Sequence, residues 1–272
     1  MQAGAMSSYA RPSIGVIGGT GFYSFFSAGA EQVEVQTPYG KPSAAITIGD
    51  VGGVSVAFLP RHGMTHEFAP HTVPYRANAW ALRSVGVRQV FAPCAVGGLS
   101  TELAPGTMVI PDQLVDRTTS RAQSFFDGSA IHVGFADPYC PTLRRVAGSA
   151  APEAVVEGTM VVVEGPRFST RAESQWYARQ GWSLVNMTGH PEAVLARELK
   201  MCYAAIALVT DTDAGLVEGE GVTTSEVFAV FERGLERLRE VLVAAIAGAA
   251  SQPECSCAKG EHDISSVMKV DS

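Results

Sequence analysis

Residues 14–26 read IGVIGGTGFYSFF, a short apolar strand that runs straight into a glycine-rich turn carrying one threonine. A dinucleotide-binding fold asks for G-x-G-x-x-G between a strand and a helix. Started at Gly19, that pattern finds Gly21 and then Ser24, where a third glycine would let the helix pack closely. The residues that follow, FYSFFSAGAEQ, do not carry a helical pattern, so a nicotinamide-cofactor oxidoreductase is a disfavoured rival. A strand-end turn with Gly18, Gly19 and Gly21 still exposes several backbone N–H groups, and Thr20 adds a hydroxyl. Concavities of this kind hold anions without net positive charge.

Five further apolar runs repeat the theme: VSVAFL (54–59), QVFAP (89–93), TMVI (107–110), TMVVV (159–163) and AAIALVT (204–210). Their β-branched content predicts mostly buried strands. Helices are expected between some of them. VPYRANAWALRSVG (73–86) ends at a C-capping glycine, and Thr170 with Glu173 forms a capping box opening RAESQWYARQG. Pro191 suits the first position of PEAVLARELK. Thr223 with Glu226 caps a last long helix, whose Val227, Phe231, Leu235, Leu238, Leu242 and Ile246 make one apolar stripe read as packing. There is no internal repeat and no linker. The expectation is an α/β single domain with a central mixed β-sheet flanked by helices, over residues 14–250. Residues 1–13 are expected to be a flexible N-terminus, and 251–272 a polar, loosely ordered tail.

Composition narrows the functional classes. The chain has 272 residues, 46% hydrophobic and 17% charged, with net charge -7. A general nucleic-acid surface is not expected, so any anion site must be a local pocket. No apolar run approaches the roughly 18 residues that span a bilayer, and the first residues lack the basic-then-apolar pattern of a secretory leader. A cytoplasmic protein without membrane attachment is expected. The five cysteines (Cys94, Cys140, Cys202, Cys255, Cys257) show no C-x-x-C and no Cys/His cluster with zinc spacing, so free thiols and no metal are expected. The CSC pair in the tail is close enough to be redox-active.

Several strand ends carry chemistry-bearing side chains. LPRHGMTHEFAPH places Arg61 and His62 where open α/β sheets put ligands, with His66 and His71 nearby; arginine offers a planar fork suited to phosphate oxygens. FAPCAVGGLS is read as a strand entering a glycine-containing turn, with Cys94 a small lining residue beside Ala95. Phe168, ahead of a capped helix, can stack on a flat ring, and Ser169 can reach its polar edge. Thr188 and the amides before Pro191 lie near a helix N-terminus, where anions are stabilised. LVTDTDAG closes an apolar strand with Asp211 and Asp213, spaced i, i+2 so that both can face one side. Such a pair can accept from an amino group and, with one pKa raised, donate a proton.

In order along the chain, IGVIGGTGFY, PRHG, RANAWAL, DQLVDRT, FFDG, ADPYC, EGPRFSTRAES, NMTGHPEAVLARE and VTDTDAG resemble the methylthioadenosine phosphorylase branch of the trimeric purine nucleoside phosphorylases. The resemblance spans roughly residues 14–248. It implies cleavage of a purine nucleoside by inorganic phosphate as co-substrate, with no metal or organic cofactor, in a homotrimer. It further implies that Thr20, Arg61, His62, Cys94, Ala95 and Thr188 surround phosphate, Cys94 standing where relatives often carry threonine. Met187 would lie against the ribose, and Phe168, Ser169, Asp211 and Asp213 would contact the purine, with Asp211 catalytic. His132, from a neighbouring subunit, would shape the 5′-substituent pocket with Thr224 and Val227. The aspartate pair favours a 6-amino purine, hence 5′-methylthioadenosine. A 6-oxopurine phosphorylase acting on inosine, guanosine or methylthioinosine is the alternative within the family, and a non-catalytic nucleoside-binding protein the alternative outside it.

Overall fold

Four consecutive parallel strands form the centre of the sheet because their sequences are apolar on both faces, as strands covered from both sides must be. The computed structural model describes residues 10–19, 22, 26, 29–214, 216, 221–252 and 255–268. In chain order the elements are β1 (Ile14–Gly18), β2 (Glu31–Val33), β3 (Ile46–Val51), β4 (Val54–Pro60), α1 (Tyr75–Val85), β5 (Gln89–Gly98), β6 (Met108–Val109), β7 (Gln113–Arg117), α2 (Pro141–Ala150), β8 (Thr159–Val163), α3 (Arg171–Arg179), β9 (Leu184–Asn186), α4 (Gly189–Glu198), β10 (Cys202–Thr212) and α5 (Thr224–Ala250). The strands form one mixed sheet, ordered β2-β3-β4-β1-β5-β9-β8-β7, with β10 along the other edge of β5 and the short β6 beside β10. All five residues of β1 and the first nine of β10 are buried. This is the expected mixed α/β architecture.

Helices cover both faces. Leu82 of α1 and Leu195 of α4 belong to one apolar cluster with Leu59 and Val209; Leu143 of α2 and Leu242 of α5 belong to another with Val16 and Ile206. The capping boxes at Thr170/Glu173 and Thr223/Glu226 both form, and α1 stops at Gly86, whose φ of 120° suits a residue without Cβ. The α5 stripe packs as expected from Leu235 to Ile246. Phe231 joins the same buried cluster while also reaching a cavity, and Val227 turns into that cavity instead of the core.

β5 differs from expectation in a way that matters. FAPCAVGGLS predicts a strand that gives way to a turn at the Gly97–Gly98 pair, yet β5 runs on to Gly98 beside β10. The N–H and C=O of one strand residue point the same way, and the Pro93 carbonyl faces Arg61 rather than β10. Its missing N–H therefore costs no ladder bond. The glycines serve close approach rather than a turn. A Cβ on Gly97 would lie 2.8 Å from Val185 Cγ1 and 3.0 Å from Asp211 Oδ1.

The tail differs as well. Over 255–268 it lies on the domain, with Cys257, Val267 and Met268 buried. Trp80 Nε1 donates to the Val267 carbonyl (2.9 Å), and His262 Nε2 sits 2.8 Å from the Glu198 carbonyl. No helix among the described residues is long and apolar enough to cross a membrane.

Candidate active site

β5 makes the site by changing partners along one edge. It pairs with β1 only at Gln89–Phe91 and with β9 only at Gly97 and Gly98. Between them the edge has no strand partner among the described residues, and a cavity of about 450 Å³ opens there, lined by Pro93, Cys94, Ala95, Val96 and Gly97. A crevice at strand C-termini where the sheet's partners diverge is the usual ligand position in open α/β sheets, and the volume falls within the ~300–1,000 Å³ of small-molecule sites.

The same cavity is lined by Arg61, His62, Thr188, Met187, Phe168, Ser169, Asp211, Asp213, Thr224 and Val227. Strand ends far apart in sequence thus converge on one cavity. His66 also reaches it; His71 and His132 are exposed and do not line it. Thr20 lies outside the described residues, whereas its neighbour Gly19 is in the lining. On the rim His66 stacks on His62 with centroids 4.6 Å apart and meets the edge of the half-exposed Phe228.

Arg61 carries less free donor capacity than its residue type promises. It is 2% exposed. Its Nε donates to Glu192 Oε1 (2.5 Å), Nη2 to Glu192 Oε2 (3.1 Å) and to the Ile17 carbonyl (3.0 Å), and Nη1 to the Pro93 carbonyl (3.3 Å). A guanidinium has five N–H donors, so one remains, on Nη1. The expected fork toward phosphate is corrected: it faces Glu192, whose Oε2 also accepts from the Tyr203 hydroxyl (2.9 Å). Burial pulls the Arg61 pKa down, but Glu192's charge and hydrogen bonds more than reverse this, so Arg61 and Glu192 form a neutral pair.

His62 is uncharged too. Burial, then the nearby Arg61 charge, lower its pKa from 6.5 to about 4. Its Nδ1 lies 2.8 Å from the Phe68 carbonyl, which only accepts, so the proton sits on Nδ1 and Nε2 is left as an acceptor. Burial pushes the Cys94 thiol up to about 12, which keeps it protonated and unreactive as a nucleophile.

The helix-terminal amides are likewise engaged. Asn186 Oδ1 accepts from the backbone of Thr188 (2.8 Å) and Gly189 (2.7 Å), while its Nδ2 donates to the Ala95 carbonyl (3.2 Å). These amides are turned to Asn186 rather than to an anion, and the Thr188 hydroxyl donates to the same Oδ1 across a long 3.4 Å, so it turns to a ligand by giving up that bond. Asn186, Glu192 and Tyr203 were missed from sequence. Asn186 two residues before Thr188 is an Asx-turn spacing that carried a usable signal; Glu192 within a helical run carried none.

The far end of the cavity is acidic. A register shift between Val209 and Asp211 bulges β10 and sets Asp211 opposite Gly97. Asp211 Oδ2 accepts from the Thr210 hydroxyl (2.8 Å), and burial, against that hydrogen bond, raises its pKa from 3.8 to about 6. Asp213, just past the strand, accepts at Oδ2 from the Ser174 hydroxyl (2.6 Å); burial raises it as well. One end of the cavity is therefore a neutral, dipolar cradle, and the other holds two carboxyls that protonate more readily than usual.

Comparison with known proteins gives this geometry a family. A model of the phosphorylase superfamily matches residues 13–247. The chain belongs to that superfamily. Within it, the chain is 62% identical over 243 residues to S-methyl-5′-thioadenosine phosphorylase of Mycolicibacterium smegmatis, covering 89% of this chain and 93% of the relative. It is 55% identical over 267 residues to a purine nucleoside phosphorylase of Streptomyces coelicolor, covering 93% and 95%. The solved methylthioadenosine phosphorylase of Schistosoma mansoni, in complex with adenine, superposes with TM-score 0.86 at 35% identity over 91% of this phosphorylase and 95% of that chain. The superfamily member described here is a pentosyltransferase by its relatives' shared chemistry.

Proposed function

We propose that this phosphorylase cleaves 5′-methylthioadenosine with inorganic phosphate, giving adenine and 5-methylthioribose 1-phosphate. The observation that carries the proposal is the single cavity shared by Arg61, His62 and Thr188 at one end and Phe168, Asp211 and Asp213 at the other, with Met187 in the same lining. The 62% and 60% identical mycobacterial relatives, both S-methyl-5′-thioadenosine phosphorylases, support the substrate.

Phosphate sits against the glycine turn at Gly19, with the remaining Nη1 donor of Arg61, the Thr188 hydroxyl and the Cys94–Ala95 stretch around it. His62 Nε2 accepts a hydrogen bond from the O–H of a monohydrogen phosphate. Because the Arg61–Glu192 pair is neutral and His62 uncharged, the phosphate keeps its own negative charge. That charge faces the positive charge that develops on the ribose as the glycosidic bond stretches. The phosphate oxygen then attacks the anomeric carbon. Negative charge on the departing purine is met by Asp211, whose raised pKa suits proton donation to the ring nitrogen. Asp213, held by Ser174 and Ser169, accepts from the 6-amino group, and Phe168 stacks on the base. Val227, Phe228 and Phe231 supply an apolar wall for the methylthio group. The reaction uses no metal or organic cofactor at this cavity, and the protein works in the cytoplasm as a homotrimer in which a neighbour's copy of His132 completes the 5′ pocket.

A 6-oxopurine phosphorylase is the second reading, favoured by the 55% identical Streptomyces coelicolor relative and by Asp211 itself, since a protonated carboxyl can donate to an oxo group. Initial rates on methylthioadenosine, adenosine and inosine, with and without phosphate, decide the matter. Phosphate-dependent release of adenine faster than hypoxanthine is expected. Inosine turning over faster would reverse the base assignment, and no cleavage with any nucleoside would leave a binding protein. Nicotinamide fluorescence unchanged on titration excludes the oxidoreductase rival.

A further inference from the structure

Far from the cavity, the sulfurs of Cys140, Cys202, Cys255 and Cys257 all lie within 4.8 Å of one another. Cys140 Sγ is 3.4 Å from Cys255 Sγ, which is 3.6 Å from Cys257 Sγ, and none of the four is disulfide-bonded. Three are buried and Cys255 is half-buried. Four soft donors, each near all the others, make one four-cornered set rather than two separate pairs. A tetrahedral zinc site with Zn–S of about 2.3 Å has sulfur–sulfur edges of about 3.8 Å, close to the two separations just given.

We propose that Cys140, Cys202, Cys255 and Cys257 bind one structural zinc ion that clasps the C-terminal tail to the domain. Thiolate sulfur selects zinc over the hard divalent cations, and four protein ligands leave no open position for catalysis. Half of the site is set by the fold alone. Cys140 caps the N-terminus of α2, where the helix dipole favours a thiolate, and its N–H donates to the Tyr203 carbonyl (2.8 Å). Cys202 opens β10 with its N–H donating to the Arg88 carbonyl (2.8 Å). The CSC turn then brings the other two ligands on the tail.

Cys202 and Asp211 stand near opposite ends of β10, about 30 Å apart at ~3.3 Å per strand residue. The ion therefore acts on stability and not on the chemistry. What it secures is the segment that hydrogen-bonds Glu198 through His262 and Trp80 through Val267. From sequence the cluster carried no metal pattern, because two of its corners belong to an internal helix and strand with no fixed spacing to the tail.

The test is elemental analysis of the full-length protein by mass spectrometry, with native and denatured thiol titration and intact mass. About one zinc per chain is expected, with the four thiols unreactive until a chelator or denaturant releases the metal. The Cys257→Ser variant should lose the zinc and melt at least about 5 °C lower, since ligand release removes its stabilisation; Cys94→Ser should keep the zinc. Metal-free protein with five titratable thiols, a mass about 4 Da low from two disulfides, or iron in place of zinc would each overturn the assignment. The metal content of the unaltered protein decides this even if Cys257→Ser fails to fold.

Discussion

Replacing Asp211 with asparagine separates what the folded chain wants from what catalysis wants. The amide is nearly isosteric, and its oxygen can still accept from the Thr210 hydroxyl. It removes a carboxyl that burial holds at about 6 instead of 3.8. The sign follows from linkage. A raised acid binds its proton more tightly when folded, so its ionisation costs stability as pH rises through the window between the two values. At 1.36 kcal/mol per unit, the cost works out at about 1.6 kcal/mol at pH 5 and about 3 kcal/mol at pH 8; partial exposure of the side chain makes these upper bounds. Asp211→Asn should therefore stabilise the nucleoside-free protein, with a gap that widens from pH 5 to pH 8 and then levels. For a chain of this size each kcal/mol moves Tm by about 2–4 °C, so a rise of about 3–10 °C is expected at pH 8. Turnover of methylthioadenosine should fall about 10²–10⁴-fold with the general acid gone. Thermal melts across pH and steady-state rates check both halves. A variant that melts lower than the parent at pH 8, or a gap that does not change with pH, would refute the claim that the carboxyl is held against its desolvation. Near-normal turnover would remove it from the chemistry.

Glu192→Gln leaves the buried Arg61 without a counter-charge. Breaking a buried pair costs about 3–5 kcal/mol, so denaturant melts should show a loss near the lower figure, since glutamine keeps some hydrogen bonding. The uncompensated cation should bind phosphate more tightly yet blunt its charge toward the ribose; phosphate KM and kcat should both fall, and a raised KM with unchanged kcat would contradict the neutral-cradle argument. Gly97→Ala puts a methyl 2.8 Å from Val185 Cγ1 and 3.0 Å from Asp211 Oδ1. A loss of at least about tenfold in kcat/KM is expected, because a misplacement of about 1 Å can cost a hundredfold; parental kinetics would show that β10 yields without moving Asp211. His62, folded at about 4 against 6.5 unfolded, contributes stability above pH 6.5 that is lost as pH falls toward 4. His62→Gln should flatten that acid limb in pH-dependent melts, and an unchanged limb would place the titration elsewhere.

The architecture was legible wherever one apolar run made one strand. β1, β4, β8 and β10 stand where IGVI, VSVAFL, TMVVV and AAIALVT predict them. The edge strands β2 and β7, the neighbouring β3 and the three-residue β9 escaped because their residues are only partly apolar or too few for a period to show. α2 escaped for another reason: PTLRRVAGSA combines a proline, a glycine and two serines or threonines, weak helix formers held helical by packing against α5 and β10. β5 was cut short because its two glycines read locally as a turn, whereas the structure uses them for close approach to Val185 and Asp211. Local chemistry names a residue's options, and only the neighbours choose among them.

The site shows the same division more sharply. That Arg61, Thr188 and Asp211 would share a cavity could be argued from strand ends alone, since each stands where an open sheet presents its ligands. The charge of that cavity could not, because it depends on which donors are already engaged. Read as residue types, Arg61 and His62 make a cationic anion hole. Counted against their partners, they make a neutral one with a single guanidinium N–H and one imidazole acceptor. The two versions imply different enzymes. A cationic hole would bind phosphate tightly and quench the charge that must steady the ribosyl cation, lowering KM at the expense of kcat. A neutral hole binds through oriented dipoles and leaves that charge for the transition state. The buried Glu192 is what turns the first into the second, and although NMTGHPEAVLARE contains it, nothing in that segment marks it as the partner of Arg61.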